Sequence, residues 1–330
     1  MSLIFTSCNS DSTDSKDQGV NRSEATVSPG LKSLRDKALS DINSGGKIIY
    51  SSSKGAVFYS KLKSKSHIII PPYAITTKEG KDIDGEIEID FIEIFSKEKM
   101  VVANKPTMAQ VSSKTRDLLV TGGEFYLDVK FKGEQVVIVK PIQVNVDTSN
   151  SKADPNGMAL WNGVIDTNDN LTWNTAPKDE LSFNNDGTIF NVKESGGFYD
   201  VFVKSSANFG WCNIDKLLKQ DGPRTTVHVQ VPLAFNHTNS ATYIVIKGQT
   251  NALFQLYTFD SSNNTFGDDY PVLPVGLDCY IVFAGEQNGN YIYSILPTTL
   301  QNNASYSVPA SSLITTTNYQ QLEAAIQALP

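Results

Sequence analysis

From Lys47 onward, apolar and polar residues alternate along much of this chain with a period of two. The pattern is cleanest at Gly85–Asp90. There Ile87, Ile89 and Phe91 fall on one face and Glu86, Glu88 and Asp90 on the other, as in a half-buried strand. At Phe91-Ile92 the phase slips and Ile92 and Ile94 take over, which predicts either a bulge or burial of both faces. Lys47–Tyr50, Ala56–Tyr59 and His67–Ile70 read as further strands, the last stopped by Pro71-Pro72. Gly122-Gly123 opens Glu124–Phe131, Lys132-Gly133 turns it into Gln135–Val139, and Gln143–Val146 follows.

Beyond residue 157 the strands are shorter: Met158–Trp161, Leu171–Trp173, Ile189–Val192, Phe198–Val203, Thr225–Val231, Tyr243–Lys247, Leu253–Thr258, Cys279–Ala284 and Tyr291–Leu296. Asn185-Asp186-Gly187 and Gln287–Asn290 supply turn chemistry between them. The period becomes helical only near the ends. Leu31, Leu34, Ala38 and Ile42 share one face of a short helix over 31–43, and Leu322, Ala325, Ile326 and Leu329 share one face of a helix capped by Asn318. Ile214–Leu218 reads as a helical turn or two.

Composition divides this pattern into units. At 330 residues the chain exceeds one comfortable core. Residues 147–157 (DTSNSKADPNG) have linker composition. Charge shifts there as well: residues 46–147 hold 15 basic and 13 acidic residues, residues 148–330 hold 8 and 16. The expected organisation is a tether and short helix over 1–45, a β-sandwich over 46–147, a linker over 148–157, and a second β-rich domain with a C-terminal helix over 158–330. The fold class is mainly β, with two β-sandwich-like domains. A net charge of −7 argues against a nucleic-acid partner, and no apolar run approaches the roughly 20 residues of a membrane helix.

The N-terminus resembles the end of a bacterial lipoprotein signal. Leu3-Ile4-Phe5-Thr6-Ser7 leads to Cys8, and the chain turns polar at once through Asn9–Asp17. That resemblance implies lipid attachment at Cys8, an outer-membrane location in the cell envelope, and a disordered tether over residues 9–30. With Cys8 lipidated, Cys212 and Cys279 remain, either paired or as buried thiols.

A second resemblance covers residues 46–147. Ile68-Ile69-Ile70-Pro71-Pro72-Tyr73-Ala74, the glycine turn Gly80–Gly85, Glu93–Met100 and Thr121–Tyr126 are similar to the N-terminal, ZU5-like β-sandwiches of Bacteroidota envelope lipoproteins. Trp211–Asp215 is similar to a segment of their C-terminal regions. The resemblance implies a scaffold or interaction role and carries no catalytic residues. Its motifs are prolines, glycines and apolar positions, which specify fold.

Candidate chemistry is sparse. The three histidines, His67, His228 and His237, form no metal spacing, and no GxSxG elbow occurs. Glu86, Glu88 and Asp90 project from one strand face, the spacing of a catalytic carboxylate pair but also of an ordinary solvated strand. Asp166, Asn168 and Asn170 place oxygens at alternate positions, as a calcium loop begins, without its glycine or distal glutamate. Trp161, Trp173 and Trp211 are the candidate ligand platform, with strand cores as their competing use. The expectation is a non-enzymatic, lipid-anchored envelope module with a glycan or protein partner and no cofactor. A carbohydrate-binding accessory protein and a hydrolase with a dispersed site are the alternatives.

Overall fold

The computed structural model describes residues 27–62, 64–112, 115–151, 153–154, 157–175, 182–183, 189–190, 193–218, 221–268 and 270–330. The fold is mainly β, with several sheets and short helices near both ends. Cys8 and residues 9–26 of the expected tether lie outside the described residues, as does the turn Asn185–Gly187.

One strand organises the first half. Thr115–Phe131 runs for 17 residues, because Leu118–Val120 and Phe125–Val129 supply apolar side chains to both faces. Around it an eight-stranded sheet runs in the order Gly46–Ser51, Asp84–Ile94, Thr115–Phe131, Gly210–Leu217, Ala159–Ile165, Leu171–Thr175, Met108–Ser112, with Glu134–Gln135 as a side pairing. Met108–Ser112 also pairs with Thr115–Phe131, so five strands close into a ring. A second sheet of five strands runs Lys193–Ser195, Phe198–Val203, Ile142–Asp147, His67–Ile70, Ala56–Tyr59. Its inner residues Ile68, Val144 and Val201 meet Ile87, Phe91, Phe125 and Ile214 of the large sheet in one core.

This pairing corrects the boundary expected at 148–157. Gly210–Leu217 hydrogen-bonds to Thr115–Phe131 over eight registered pairs, and Phe198–Val203 pairs along the whole of Ile142–Asp147. The sheets therefore cross that segment, and residues 46–147 do not complete either sheet alone. Linker composition recorded a surface loop rather than a division between cores. Ile214–Leu217, expected with Leu218 as a helical turn, is strand, since Ile214 enters the inter-sheet core while Asn213 and Asp215 face the other way. Gly122-Gly123 lies inside the long strand, where Gly122 is an extra residue between the Gly123–Ile214 and Thr121–Asp215 pairs. Gly123 has φ +154°, and a Cβ there would meet Phe95 at 2.7 Å, so only glycine fits. The expected strand Gln135–Val139 splits between the large sheet and a short pairing of Val137–Ile138 with Ile75–Thr76.

Residues 224–330 build their own sheets. Five strands run Phe254–Leu256, Ser240–Ile246, Asp278–Gln287, Asn290–Thr299, Ile314–Thr316, and four run Thr258–Asp260, Thr265–Gly267, His228–Gln230, Ser305–Ser307. Val229, Phe254, Phe266, Ile281 and Phe283 fill the core between them. The expected turn at Gln287–Asn290 is present: Asn288 and Gly289 take φ +55° and +76°, the backbone of a tight hairpin.

Three helices gather on the other face of this second five-stranded sheet. Helix α1 is Pro29–Asp41, capped by Ser28, whose Oγ accepts from the Leu31 N–H at 3.2 Å. Helix α3 is Tyr319–Gln327, with Leu322 and Ile326 buried as its spacing predicts. Helix α2, Lys97–Ala103, has no counterpart in the strand reading; it stops at Asn104, which takes φ +52°. These helices share a third core with Trp161, Trp173, Trp211, Tyr243 and Val282, so both halves contribute to it. No described helix is long and apolar enough to cross a membrane. Cys212 and Cys279 are buried in different cores and are not joined by a disulfide.

Candidate functional site

The three tryptophans come together, but inside the protein. Trp161, Trp173 and Trp211 are 5%, 0% and 9% exposed. Trp173 and Trp211 crowd Gly163, where an added Cβ would lie within 3 Å of Trp211, Leu171 and Trp173. Trp161 Nε1 donates to Asp215 O at 3.1 Å and Trp173 Nε1 to Pro106 O at 2.8 Å. All three rings are buried in one core, with the Trp161 and Trp173 donors satisfied, so they are core residues and the ligand-binding expectation for them is corrected.

Asp166, Asn168 and Asn170 form the turn of the hairpin Ala159–Thr175. Asp166 Oδ1 accepts the backbone N–H of Asn168 at 2.8 Å and of Asn170 at 2.9 Å, and Asn170 Nδ2 donates to Asp166 Oδ2 at 3.2 Å. Asn170 Oδ1 accepts from Gln255 at 2.8 Å. The Asp166 oxygens are spent on the turn itself and Asn170 Oδ1 on Gln255, while Asn168 Oδ1 is buried without a hydrogen-bond partner. Among the described residues, no group of three or more His, Cys, Asp or Glu side chains is placed to hold a metal ion.

The acids Glu86 and Asp90 are likewise partnered, with Lys47 and Lys130, each at 2.9 Å. Beside Glu88 and Asp90 lies a shallow groove of about 500 Å³ lined by Asn43, Gly45, Lys47 and Lys61.

A polar cluster that the sequence reading did not single out is buried next to the tryptophans. Glu124 and Asn213 are cross-strand neighbours. Thr121 Oγ1 donates to Asn213 Oδ1 at 2.6 Å, and Asn213 Nδ2 donates to Asp215 Oδ2 at 2.5 Å. Both carboxylate oxygens of Glu124 and Oδ1 of Asp215 are buried without a hydrogen-bond partner. Burial pushes the Glu124 carboxyl well above its ordinary range, with the Asp215 charge adding to the effect and Lys105 opposing it. Burial does the same to Asp215, against a hydrogen bond from Thr121. Lys105, 5.4 Å from the Trp211 ring centre, is driven down to about 8 by burial while Asp169 pulls it up. Its neighbours complete the network: Arg35 with Asp169 at 2.7 Å, Asn104 Nδ2 to Asp169 O at 2.6 Å, and Tyr243 OH to Asn104 Oδ1 at 2.5 Å. The signal for this cluster was Glu124 and Asp215 standing in apolar strands.

Exposed aromatics lie elsewhere, on the outer face of the first five-stranded sheet. Alternation places Val57 and Tyr59, His67 and Ile69, Gln143 and Asn145, and Phe198, Asp200 and Phe202 outward. Register aligns them in rows: Tyr59–His67–Asn145–Asp200 and Val57–Ile69–Gln143–Phe202. Tyr59 is 67%, Phe202 47% and Val57 45% exposed. The Tyr59 and His67 rings stack at 5.5 Å and 30°, and Phe198 meets His67 edge-on at 5.2 Å. Asn145 Nδ2 donates to Asp200 Oδ1 at 2.5 Å, while Asn145 Oδ1 is buried without a partner. His228 lies on a strand of the four-stranded sheet beside Gly267, and His237 packs on Phe259 in a loop. Comparison with family models, with curated proteins and with solved structures finds no match.

Proposed function

We propose that this chain is a non-enzymatic interaction module of the cell envelope, tethered through Cys8, whose ligand surface is the outer face of the first five-stranded sheet. One observation carries the reading: Val57, Tyr59 and Phe202 stand exposed on a single sheet face. Contiguous exposed apolar residues on a folded protein mark interaction sites more often than isolated ones do. The sheet beneath is a rigid base, since its inner side is packed into a continuous core. On this reading the molecule is two β-sandwich-like units, 46–217 and 224–330, joined through the core around the tryptophans, with the first unit presenting the face. The anchoring half of the proposal rests on the small residues before Cys8 and the polar stretch after it.

The hydrolase alternative has less support. Among the described residues Glu124, Asp215 and Lys105 form the one cluster with strongly shifted acids and a shifted base, and they are 0%, 0% and 2% exposed. A substrate has no approach to them, whereas the outer face is open. The test is envelope binding. The purified protein is expected to bind envelope fractions of the source organism, and Tyr59→Ala with Phe202→Ala to weaken that binding at least tenfold with an unchanged melting temperature. Equal binding by the double variant would refute the assignment of the face.

A further inference from the structure

We infer that the turn Pro232–Phe235 makes an apolar contact with the lipid surface to which the chain is tethered, an inference that rests on the reading of the chain as an envelope module anchored through Cys8. The first observation is exposure. Leu233 is 91% exposed, the highest value among the described large apolar side chains. The turn presents it rigidly. The Phe235 N–H donates to Pro232 O at 2.9 Å, which puts Leu233 and Ala234 at the two central positions of the turn. Phe235 is 2% exposed and packs edge-on against Phe283 at 5.0 Å. The turn is therefore rooted in the core of the second unit while Leu233 stands off it.

The second observation is how the backbone of this turn is satisfied. Amide side chains from two neighbouring turns donate to its carbonyls: Asn264 Nδ2 to Val231 O at 2.8 Å and Pro232 O at 3.0 Å, and Asn239 Nδ2 to Ala234 O at 3.0 Å. Pro232 brings no N–H, and the Val231 N–H donates to Asn264 O at 3.0 Å. A water-facing turn can leave its carbonyls to solvent; an apolar medium requires them to be bonded within the protein. No Lys, Arg, Asp or Glu occurs from Val231 to Ala241. The acids of the adjoining turns, Asp260 and Glu286, are held in their own turns, accepting from Ser262 and from the Gly289 N–H. With no basic residue in the turn, the contact is apolar rather than electrostatic and does not require anionic lipid.

The third observation is where the tether meets the fold. The Ser28 N–H donates to Thr238 O at 2.7 Å, so the chain joins the fold at the loop that follows the turn. Cys8 lies 20 positions before Ser28, a span of at most about 70 Å. A lipid at Cys8 confines this loop to within that distance of the bilayer, and confinement raises the effective concentration of lipid at Leu233. One leucine is too little to hold a free protein on a membrane. As a second signal beside an acyl anchor it fixes which side of the molecule meets the bilayer. Val57, Tyr59 and Phe202 belong to the first unit, so the lipid contact uses none of the residues of the proposed ligand face.

Tryptophan fluorescence on vesicles tests this. The full chain is coupled through Cys8 to a maleimide lipid in phosphatidylcholine vesicles; Cys212 and Cys279, 2% and 3% exposed, are out of the reagent's reach. Leu233→Trp and Ile49→Trp, the latter at an exposed site of the first unit, are each read against the wild-type background of buried tryptophans. Brominated acyl chains should quench the Leu233→Trp signal at least about twofold and leave Ile49→Trp unchanged, equally with and without phosphatidylglycerol. No quenching at Leu233→Trp, equal quenching at both sites, or quenching that needs anionic lipid overturns the lipid assignment. Anchoring is read separately, by fractionating source-organism cells that express Cys8→Ser. Release of Cys8→Ser without vesicle quenching leaves the anchored module standing and removes the lipid contact; retention of Cys8→Ser with quenching removes the anchor and keeps the contact.

Discussion

Arg35 Nη1 donates to Asp169 Oδ2 at 2.7 Å across 134 positions of sequence. Arg35 is on helix α1 and Asp169 is in the hairpin turn between Ala159–Ile165 and Leu171–Thr175. The Arg35 side chain is 7% exposed and Asp169 28%. The bond therefore ties the helix nearest the N-terminus to the ring of strands in the first half. Asn104, at the end of α2, grips the same turn through the Asp169 carbonyl. Arg35→Ala leaves Asp169 without its guanidinium partner and should cost about 3 kcal/mol, the scale of breaking a largely buried ion pair. Chemical denaturation measures it. In a double-mutant cycle with Asp169→Ala, the two losses should fall short of additive, because both remove the same contact.

Glu124 gives a pH dependence whose sign is fixed by its surroundings. The folded state holds its carboxyl protonated well above the ordinary 4.5, and the unfolded chain does not. As pH rises past 4.5 the unfolded state releases that proton first, so stability declines through the window up to the folded titration. Keeping the acid neutral at pH 7 costs up to about 3 kcal/mol. Glu124→Gln removes the proton uptake while keeping the shape. The variant should melt higher than wild type at pH 7, and the gap should shrink toward pH 4. Lys105 acts in the opposite direction further up. Its folded value of about 8 lies below the ordinary 10.5, so from pH 8 to 10.5 the unfolded chain binds more protons and stability rises. Lys105→Met should abolish that rise. Melting curves from pH 4 to 10 on the three proteins read both effects.

The strands were legible because half-buried sheets write their period into the sequence: Phe198–Val203 and the helix capped by Asn318 were found where the alternation and the cap placed them. What alternation does not encode is which strand pairs with which. Residues 158–217 read as part of a second domain over 158–330 because linker composition and a charge shift both occur near 150, yet Gly210–Leu217 belongs beside Thr115–Phe131. The tryptophans were misread for a related reason. An aromatic on a strand looks the same from sequence whether its face meets solvent or another core, and the second half of the chain covers this one. The outer face went unnoticed because Phe198 and Phe202 come from a strand about 130 residues beyond those of Tyr59 and His67. Helix α2 was hidden inside a family-like segment, although Ser96, Glu98 and a left-handed Asn104 bracket it.

The two glycines of the long strand do different work from those in turns. A Cβ on Gly122 would lie 2.8 Å from Tyr199 Cε2, and one on Gly123 2.7 Å from Phe95 Cε1 and 3.0 Å from Val146 Cγ1. Gly123 adds a φ of +154° that L-residues rarely adopt. Gly123→Val should therefore destabilise by about 2–4 kcal/mol through combined strain and overpacking. Gly133, in the turn after Lys132, has φ +82° with open space around it, so Gly133→Ala should cost only about 1 kcal/mol. Thermal melts of the pair separate the two causes; an equal loss at both sites would mean that the close approach of Phe95 and Val146 contributes nothing.

Strand pairing also decides which fragment can fold. A piece ending at residue 147 retains Thr115–Phe131 but exposes the edge that Gly210–Leu217 covers. It also strips Tyr199, Val201, Cys212 and Ile214 from the first core and removes the strand that covers Ile142–Asp147. Bare strand edges beside an incomplete core favour association over folding. Residues 46–147 alone should therefore show no cooperative melt and should aggregate. Residues 46–222 recover both sheets of the first unit and should have strand-like circular dichroism with a cooperative transition. That transition should lie below that of residues 27–330, because Trp161, Trp173 and Trp211 lose Tyr243, Val282 and helix α3 from their shared core. A sharp melt from residues 46–147 would show that the first unit closes without residues 158–217, against the pairing described above.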